Sequence, residues 1–255
     1  MDALPTIADL AKHLDDILNA SHFDDRSCNG IQVESGRMEV RRLATGVTAS
    51  LALIEKAAEA EADTILAHHG LFWKGQDPVL IGGLGARVRR LFEEKMNLLA
   101  YHLPIDAHPV LGNNAVLADK LNLTEKKPWG DYNGSMIGIS GRLSPRPVET
   151  FLKSVESVVG GEVLHFTGGP DVVESVAVVS GGASGLGVSA ARSGFHVFIT
   201  GEPSEPCMHI AAEERIHIFA AGHHNTETFG VQAVGNHLAK EFGLEVFHIN
   251  IPNPV

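Results

Sequence analysis

The chain has 255 residues, of which 44% are hydrophobic and 20% are charged, so it can form one large α/β domain or two small ones. Its formal net charge of −11 argues against a broad nucleic-acid surface, because phosphate binding needs clustered lysine and arginine, although a local basic rim is compatible with that charge. No apolar run approaches the roughly 20 residues that span a bilayer, so we expect no membrane partner.

The cysteine content and the first residues indicate where the protein works. Cys28 and Cys207 form no CxxC motif and no framework of pairs. The first ten residues lack the basic region and the long apolar region of a signal peptide. We therefore expect a reducing, cytoplasmic setting.

The first half of the chain alternates predicted helices and strands. Thr6 followed by Asp9 is typical of a helix start, with apolar residues after it on one face. The elements predicted next are strand 43–48, helix 51–60, strand 64–67, helix 87–96, strand 98–101 and helix 114–121. This order is typical of a mainly parallel sheet covered by helices.

A composition break at 124–136, rich in Pro, Gly, Asn and charges, predicts a domain boundary or an excursion. We accordingly expect two α/β lobes, 1–126 and 127–255. The elements predicted after the break are strands 137–143, 163–167 and 176–180, helix 185–192, strands 197–200 and 217–221, helix 227–242 and strand 245–251. Of two glycine-rich stretches, 81–85 is interpreted as a loop, and 180–187 favours tight strand–helix packing over phosphate binding.

Three strand-like segments finish in imidazole or carboxylate groups. The run 64–69 ends on a histidine pair, the run that begins at 98 is followed by a His and an Asp, and the run 217–221 is followed by histidines and a Glu. These groups are ligands of Zn, Mn, Fe and Ni, and ligands of α/β proteins bind beyond the carboxyl ends of strands. We expect one metal site built from all three segments.

His68 and His69 are consecutive, and consecutive side chains of a regular strand point to opposite faces. At a strand end, where the backbone turns at Gly70, two divergent imidazoles can each serve a different ion. The pair therefore favours a dinuclear site. The alternative is a pair of histidines that are hydrogen-bonded at a strand end.

The other candidates also have structural alternatives. Asp106 is expected on a loop, as a ligand or as a helix cap. His102 fits a hydrogen-bonding or substrate-facing role better than a ligand role. Glu227 is expected in the first turn of a helix, where the helix dipole also favours a carboxylate. Spacing alone does not choose between His223 and His224 as the histidine that joins Glu227.

Several motifs together resemble a known family. They are NGIQVE at 29–34, LAHHGLFWKG at 66–75, HLPIDAHPVLGNNAVLA at 102–118, TGEPSE at 200–205, AGHHNTE at 221–227 and IPNP at 251–254. They look like the Nif-three-like (Ngg-interacting-factor-like) proteins of the short bacterial YbgI type, which are labelled GTP cyclohydrolase 1 type 2 homologs. One departure is Cys28, where those short forms carry Pro.

The resemblance implies two intertwined three-layer α/β lobes with mainly parallel sheets, a toroidal homohexamer, and two divalent metal ions per chain, of Zn, Mn, Fe, Co or Ni. Carried over position by position, the metal ligands are His68, His69, Asp106, His223 and Glu227. No inserted middle domain is expected, because the 124–136 stretch is too short for it.

The first functional hypothesis is a metal-dependent hydrolase, cyclohydrolase-like or acting on a phosphoester of a small molecule, with His102 as a proton relay. In such sites two ions share a water and lower its pKa. The alternatives are a non-catalytic metal chaperone or insertase, and a scaffold protein whose metals stabilise it.

Overall fold

The computed structural model describes residues 4–255. The chain forms two compact units, and each is built from two separate stretches. The first unit takes the chain up to Ile105 together with Val231–Ile251, and the second takes Asp106–Gly230 together with Pro252–Val255. This division differs from the predicted one at 126/127. Within residues 4–255 no helix is both long and apolar enough to cross a membrane.

The elements follow one another along the chain as follows. They are α1 Ile7–Leu18, β1 Gly30–Val33, β2 Arg42–Thr48, α2 Leu51–Glu59, β3 Thr64–His69, α3 Gly82–Glu93, β4 Asn97–Ala100, α4 Leu103–Ala107, α5 Asn113–Lys120, β5 Thr124–Tyr132, β6 Ser135–Pro147, α6 Val148–Val159, β7 Leu164–Phe166, β8 Val172–Val179, α7 Gly187–Arg192, β9 Val197–Thr200, α8 Cys207–Glu214, β10 His217–Ala220, α9 His223–Thr226, α10 Thr228–Phe242 and β11 Glu245–His248.

The first unit contains a five-stranded sheet in the order β1-β4-β3-β2-β11. All neighbouring pairs are parallel except β1 with β4. Helix α1 begins as predicted, because the Thr6 hydroxyl accepts from the Asp9 amide while the Asp9 carboxylate accepts from the Thr6 amide. The carboxyl ends of β3 and β4 lie side by side, so they present the residues that follow them at one edge of the sheet.

The second unit contains a six-stranded mixed sheet in the order β5-β6-β8-β9-β10-β7. Only its centre, β8-β9-β10, is parallel. The composition break at 124–136 is a hairpin of β5 and β6, turned at Asn133 and Gly134 with φ of +52° and +85°. An Asn-Gly pair with two positive φ angles is typical of a tight hairpin turn. The α/β fold class is confirmed. Unlike the mainly parallel sheet that was predicted, this sheet has three antiparallel pairs among its five pairs of neighbouring strands.

The pattern did not predict six elements, and it placed the start of helix α3 too late. Strands β1 and β5 and helices α4, α6, α8 and α9 were not predicted, although α6 buries Val148, Phe151, Val155 and Val159 at helical spacing. The predicted loop 81–85 is wrong, because α3 begins at Gly82. Gly85 is required there, since a Cβ would lie 2.5 Å from the Leu80 carbonyl oxygen.

Candidate metal centre

Three histidines of the first unit lie together at the carboxyl ends of β3 and β4. A ligand atom of each of His68, His69 and His102 lies within 4.8 Å of those of the other two. The ring centroids of His68 and His69 are 4.7 Å apart, and that of His102 lies 5.0 and 5.6 Å from them. The adjacent pair therefore converges on a common region, although both residues belong to β3.

Hydrogen bonds orient the two adjacent rings. His68 is fully buried, and its Nδ1 lies 3.2 Å from the Tyr101 carbonyl oxygen. A carbonyl only accepts, so Nδ1 carries the proton and the lone pair is on Nε2. His69 places Nδ1 3.1 Å from the Thr48 hydroxyl. This arrangement is the usual support of a metal-binding histidine, whose other ring nitrogen bonds to the protein.

The turn after His69 is held by Gln32. Its amide oxygen accepts from the backbone of Leu71 and Phe72 at 2.6 and 3.2 Å, and its amide nitrogen donates to the Cys28 carbonyl at 2.8 Å. Gly70 leaves room for this side chain, because a Cβ there would lie 2.3 Å from the amide oxygen. Gln32 of the NGIQVE motif therefore positions the loop that follows the histidine pair.

His102 is held by a buried carboxylate. The Nδ1 of His102 lies 2.8 Å from Asp25, whose oxygens also accept from the backbone of Ser27 and Leu103 and from the Asn29 side chain. Burial alone would raise the pKa of Asp25, but the hydrogen bond and charge of His102, with the donors Ser27 and Asn29, lower it to about 2. The carboxylate therefore stays ionised and fixes the imidazole proton on Nδ1.

In the second unit Asp106 lies in the short helix α4, not on the loop that the sequence predicted, and it does not cap α5, whose N-cap is Gly112. One carboxylate oxygen accepts from Asn113 Nδ2 and from Ser180 Oγ, each at 2.8 Å. Asn113 in turn accepts from the Gly230 amide at 2.6 Å. Asp106 is buried, so these bonds hold its carboxylate in one orientation in the interior of the unit.

Glu227 and His223 form a second part of this cluster. Glu227 is 2% exposed, and its Oε1 lies 3.1 Å from His223 Nε2. A carboxylate oxygen of Asp106 lies within 4.8 Å of one of Glu227. The other ring nitrogen of His223, Nδ1, lies 2.5 Å from Glu202 Oε1. The second unit thus assembles two carboxylates and one imidazole, with a third carboxylate behind the ring.

The protonation of His223 follows from these neighbours. Burial disfavours the imidazolium, but the hydrogen bonds and charges of Glu227 and Glu202 outweigh it and raise the pKa of His223 to about 9. A metal ion binds the neutral ring, so binding at His223 is coupled to release of this proton. His224, the alternative that spacing left open, is buried and donates its amide to the Val255 carbonyl.

The glycine-rich stretch 180–187 packs against this cluster. Gly181 has a φ of +67°, and a Cβ on it would lie 2.4 Å from Glu227 Oε1 and 3.2 Å from His223 Nε2. Its amide donates to Thr226 Oγ1, and its carbonyl accepts from the amides of Gly201 and Glu202. Close approach of backbone to the cluster, not phosphate binding, explains this glycine.

Gly181→Ala is expected to lower the free energy of unfolding by more than backbone strain alone would, because the new Cβ would also collide with Glu227. It is also expected to lower the metal content. The matched control is Gly194→Ala, because Gly194 also has a positive φ, +81°, with open space around its Cβ position. The control should lose about 1–2 kcal/mol from the left-handed conformation. Thermal unfolding and metal analysis of both variants check this, and equal losses would show that the contact with Glu227 has no effect.

The donor set fits a divalent transition metal. Buried imidazole and carboxylate are the ligands that Zn, Mn, Fe, Co and Ni share, and the absent Cβ of Gly181 leaves space beside two of them. The sequence reasoning missed Asp25, Glu202 and Ser180. Glu202 carried a signal, since it follows the carboxyl end of β9 in the TGEPSE motif, whereas Asp25 lies outside every helix and strand.

Fold and side chains together define an α/β protein with residue groups suited to metal binding. The family model of Duf34/NIF3 (NGG1p interacting factor 3) matches residues 5–254. A protein of Allochromatium vinosum is 43% identical over 255 residues, all of both chains, and one of Pseudomonas aeruginosa is 41% identical over 97% of this chain and 98% of its own. Both are called GTP cyclohydrolase 1 type 2 homolog. The chain belongs to the Duf34/NIF3 family.

Solved structures agree with this assignment. Protein ybgI, described as of unknown function, has a TM-score of 0.92 and 40% identity over 98% of this chain and all of its own. TTHA1606 from Thermus thermophilus has a TM-score of 0.90 and 35% identity over 98% of this chain and all of its own. Reduced HcgD from Methanocaldococcus jannaschii, at 22% identity and a TM-score of 0.80, covering 95% of this chain and 97% of its own, shares the fold. The predicted family is confirmed.

Proposed function

We propose that the protein is a metal-dependent hydrolase with a dinuclear centre that acts on a small molecule, in a cyclohydrolase-like or phosphoester reaction. The ligands would be His68, His69, Asp106, His223 and Glu227. The observation that carries the proposal is the buried pairing of Glu227 with His223, backed by Glu202. A carboxylate behind one ring nitrogen, as Glu202 is behind His223 Nδ1, is the usual support of a histidine whose other nitrogen binds a metal ion.

Two divalent ions in such a site supply a water of lowered pKa and stabilise charge on the oxygens of a substrate. The chain's own residues supply orientation and proton transfer. Asp25 holds the His102 proton on Nδ1, so Nε2 is the nitrogen that can accept a proton. The Trp73 ring meets His102 edge-on, at 5.1 Å between centroids, and this packing limits rotation of the imidazole. His102 is therefore suited to carry a proton to or from a reacting group.

The test is an unbiased screen of metabolites and phosphoesters with protein that has been purified without added metal and then loaded. Metal-dependent turnover that is lost in His68→Ala and in Glu227→Gln is the expected result. Exchangeable metal that passes to a client, without turnover, would contradict the hydrolase and identify a metal carrier. An assembly that keeps its function after ligand loss would identify a scaffold.

The proposal includes a cytoplasmic homohexamer. Family membership supports the assembly, and so do three consecutive apolar side chains of the first unit, Val79, Leu80 and Ile81, which are 53, 49 and 73% exposed. Exposed apolar surface of this kind is often covered by another chain. Analytical ultracentrifugation at micromolar concentration should show a species of six chains, and a monomer at that concentration would contradict the assembly.

A further inference from the structure

Two hydrogen-bond donors of the second unit act on the same carboxylate oxygen of Asp106. Asn113 Nδ2 and Ser180 Oγ each lie 2.8 Å from Asp106 Oδ1. An ionised carboxylate has about four lone-pair positions, two on each oxygen. The two donors therefore use both lone pairs of Oδ1, and an ion that binds to Asp106 must bind through Oδ2.

The amide group of Asn113 is held in one orientation by the backbone. Its Oδ1 accepts from the Gly230 amide at 2.6 Å, so its Nδ2 is the atom that faces Asp106. Asn113 is fully buried, and an amide nitrogen of this kind donates hydrogen bonds and does not accept them. Asn113 therefore occupies one lone pair of Asp106 Oδ1 with a donor that cannot turn away without breaking its bond to Gly230.

Ser180 is held in place by the neighbouring residue of α5, Asn114. Ser180 directly follows β8, and its backbone amide donates to Asn114 Oδ1 at 2.8 Å. The Nδ2 of Asn114 donates to the backbone carbonyls of Asp106 and Ile137, at 3.2 and 2.8 Å. Asn114 therefore links the backbone of Ser180 to that of Asp106, which keeps the buried Ser180 hydroxyl within reach of the carboxylate.

We propose that Ser180 and Asn113 are positioning residues that restrict Asp106 to binding a metal ion through one oxygen, Oδ2, and so favour Zn²⁺ over Mn²⁺. The proposal rests on the ligand role of Asp106 in the proposed function. Zn²⁺ is usually satisfied by four ligands. Mn²⁺ favours six-coordinate sites that are rich in oxygen, and one carboxylate can give both of its oxygens to a large ion, as it does in calcium sites. A blocked Oδ1 denies Mn²⁺ that additional donor.

The test is the affinity of the full chain for Zn²⁺ and for Mn²⁺, each measured by competition with a chelator. Ser180→Ala removes one donor and frees one lone pair of Asp106 Oδ1. Zn²⁺ affinity should fall by about tenfold or more, as is typical when a group that orients a ligand is lost. Mn²⁺ affinity should fall less, because the second oxygen of Asp106 becomes available to this ion.

Two further variants separate an effect through Asp106 from a general loss of structure. The matched control is Ser140→Ala, because Ser140 is also buried in the second unit but its hydroxyl donates to the Lys127 carbonyl; this change should alter neither affinity. In a chain that carries Asp106→Asn, adding Ser180→Ala should weaken Zn²⁺ binding no further, since residues that act through one another are not additive. Thermal midpoints of the metal-free variants check that each one folds.

Equal weakening of Zn²⁺ and Mn²⁺ binding in Ser180→Ala would overturn the proposal, and so would an unchanged affinity for Zn²⁺ or an equal loss in Ser140→Ala. A further loss on top of Asp106→Asn would show that Ser180 does not act through Asp106. A wild type that binds neither ion would overturn the proposal together with the metal centre. A wild type that binds both ions and shows the predicted dependence on Ser180, but turns over no substrate, would contradict only the hydrolase.

Discussion

Glu227→Gln is expected to remove most of the bound metal while the fold survives. Gln is neutral and a far poorer donor to a divalent ion, so metal affinity should fall by more than the 10–100-fold that is typical of residues behind a ligand. The amide oxygen can still accept from His223 Nε2, which lies 3.1 Å from Glu227 Oε1. The loss of stability in the metal-free state should therefore stay near about 1 kcal/mol.

The measurement is metal content and thermal midpoint, each with and without chelator. The control is Glu213→Gln, because Glu213 is exposed on α8 and the same change of charge there should alter neither quantity. Unchanged metal in Glu227→Gln would remove this residue from the site. Loss of metal together with unfolding would instead assign the ions a structural role.

Asp25→Asn is expected to produce the largest loss of folding free energy, about 2–4 kcal/mol. Asp25 is 2% exposed, and its oxygens accept from four donors, those of Ser27, Asn29, His102 and Leu103. An asparagine would turn an NH₂ group towards some of these donors and leave them unsatisfied in the interior. The control is Asp24→Asn, since the Asp24 carboxylate is exposed and forms a solvent-exposed ion pair with Lys74, at 3.6 Å. The same change of charge there should cost little stability.

The pH dependence of this loss has a definite sign. The pKa of folded Asp25, about 2, lies below its ordinary value of 3.8, so ionised Asp25 stabilises the fold above that ordinary value. This contribution, about 2 kcal/mol, is lost as the pH falls from 3.8 towards 2. The difference in unfolding free energy between wild type and Asp25→Asn should therefore narrow across this range. A difference that stays constant from about pH 5 to about pH 2.5 would contradict the assignment.

The sequence predicted the parallel strands well, because their apolar runs are continuous and end abruptly. Strands β2, β3, β4, β9 and β10 lie where those runs predicted them. Strand β5 was missed because it is an exposed edge strand with Pro128 and Gly130 in it, a composition that is typical of a loop. Helix α8, with His209 and Glu213 among small residues, lacks a strong amphipathic pattern.

For the site, the sequence predicted groups that end strands, and it could not predict the groups that support them. His68 and His69 were apparent from their position at the end of an apolar run. Asp25 is hydrogen-bonded to His102, 77 residues further along the chain, and Asp106 to Ser180, 74 residues further along. A local sequence pattern cannot predict hydrogen bonds between residues so far apart in the chain. The placement of Glu227 also differed, because it lies buried between α9 and α10 and not in the first turn of a helix.

Metal counting on the folded, fully loaded protein, combined with anomalous scattering, tests the central claim most directly. The proposed centre requires two ions per chain, one ligated by each of the adjacent imidazoles His68 and His69, with the carboxylates of Asp106 and Glu227 completing the set. We predict two anomalous peaks per chain and a stoichiometry of two. A single tightly held ion per chain under saturating metal, or ions that are not ligated by His68 and Glu227, would contradict it.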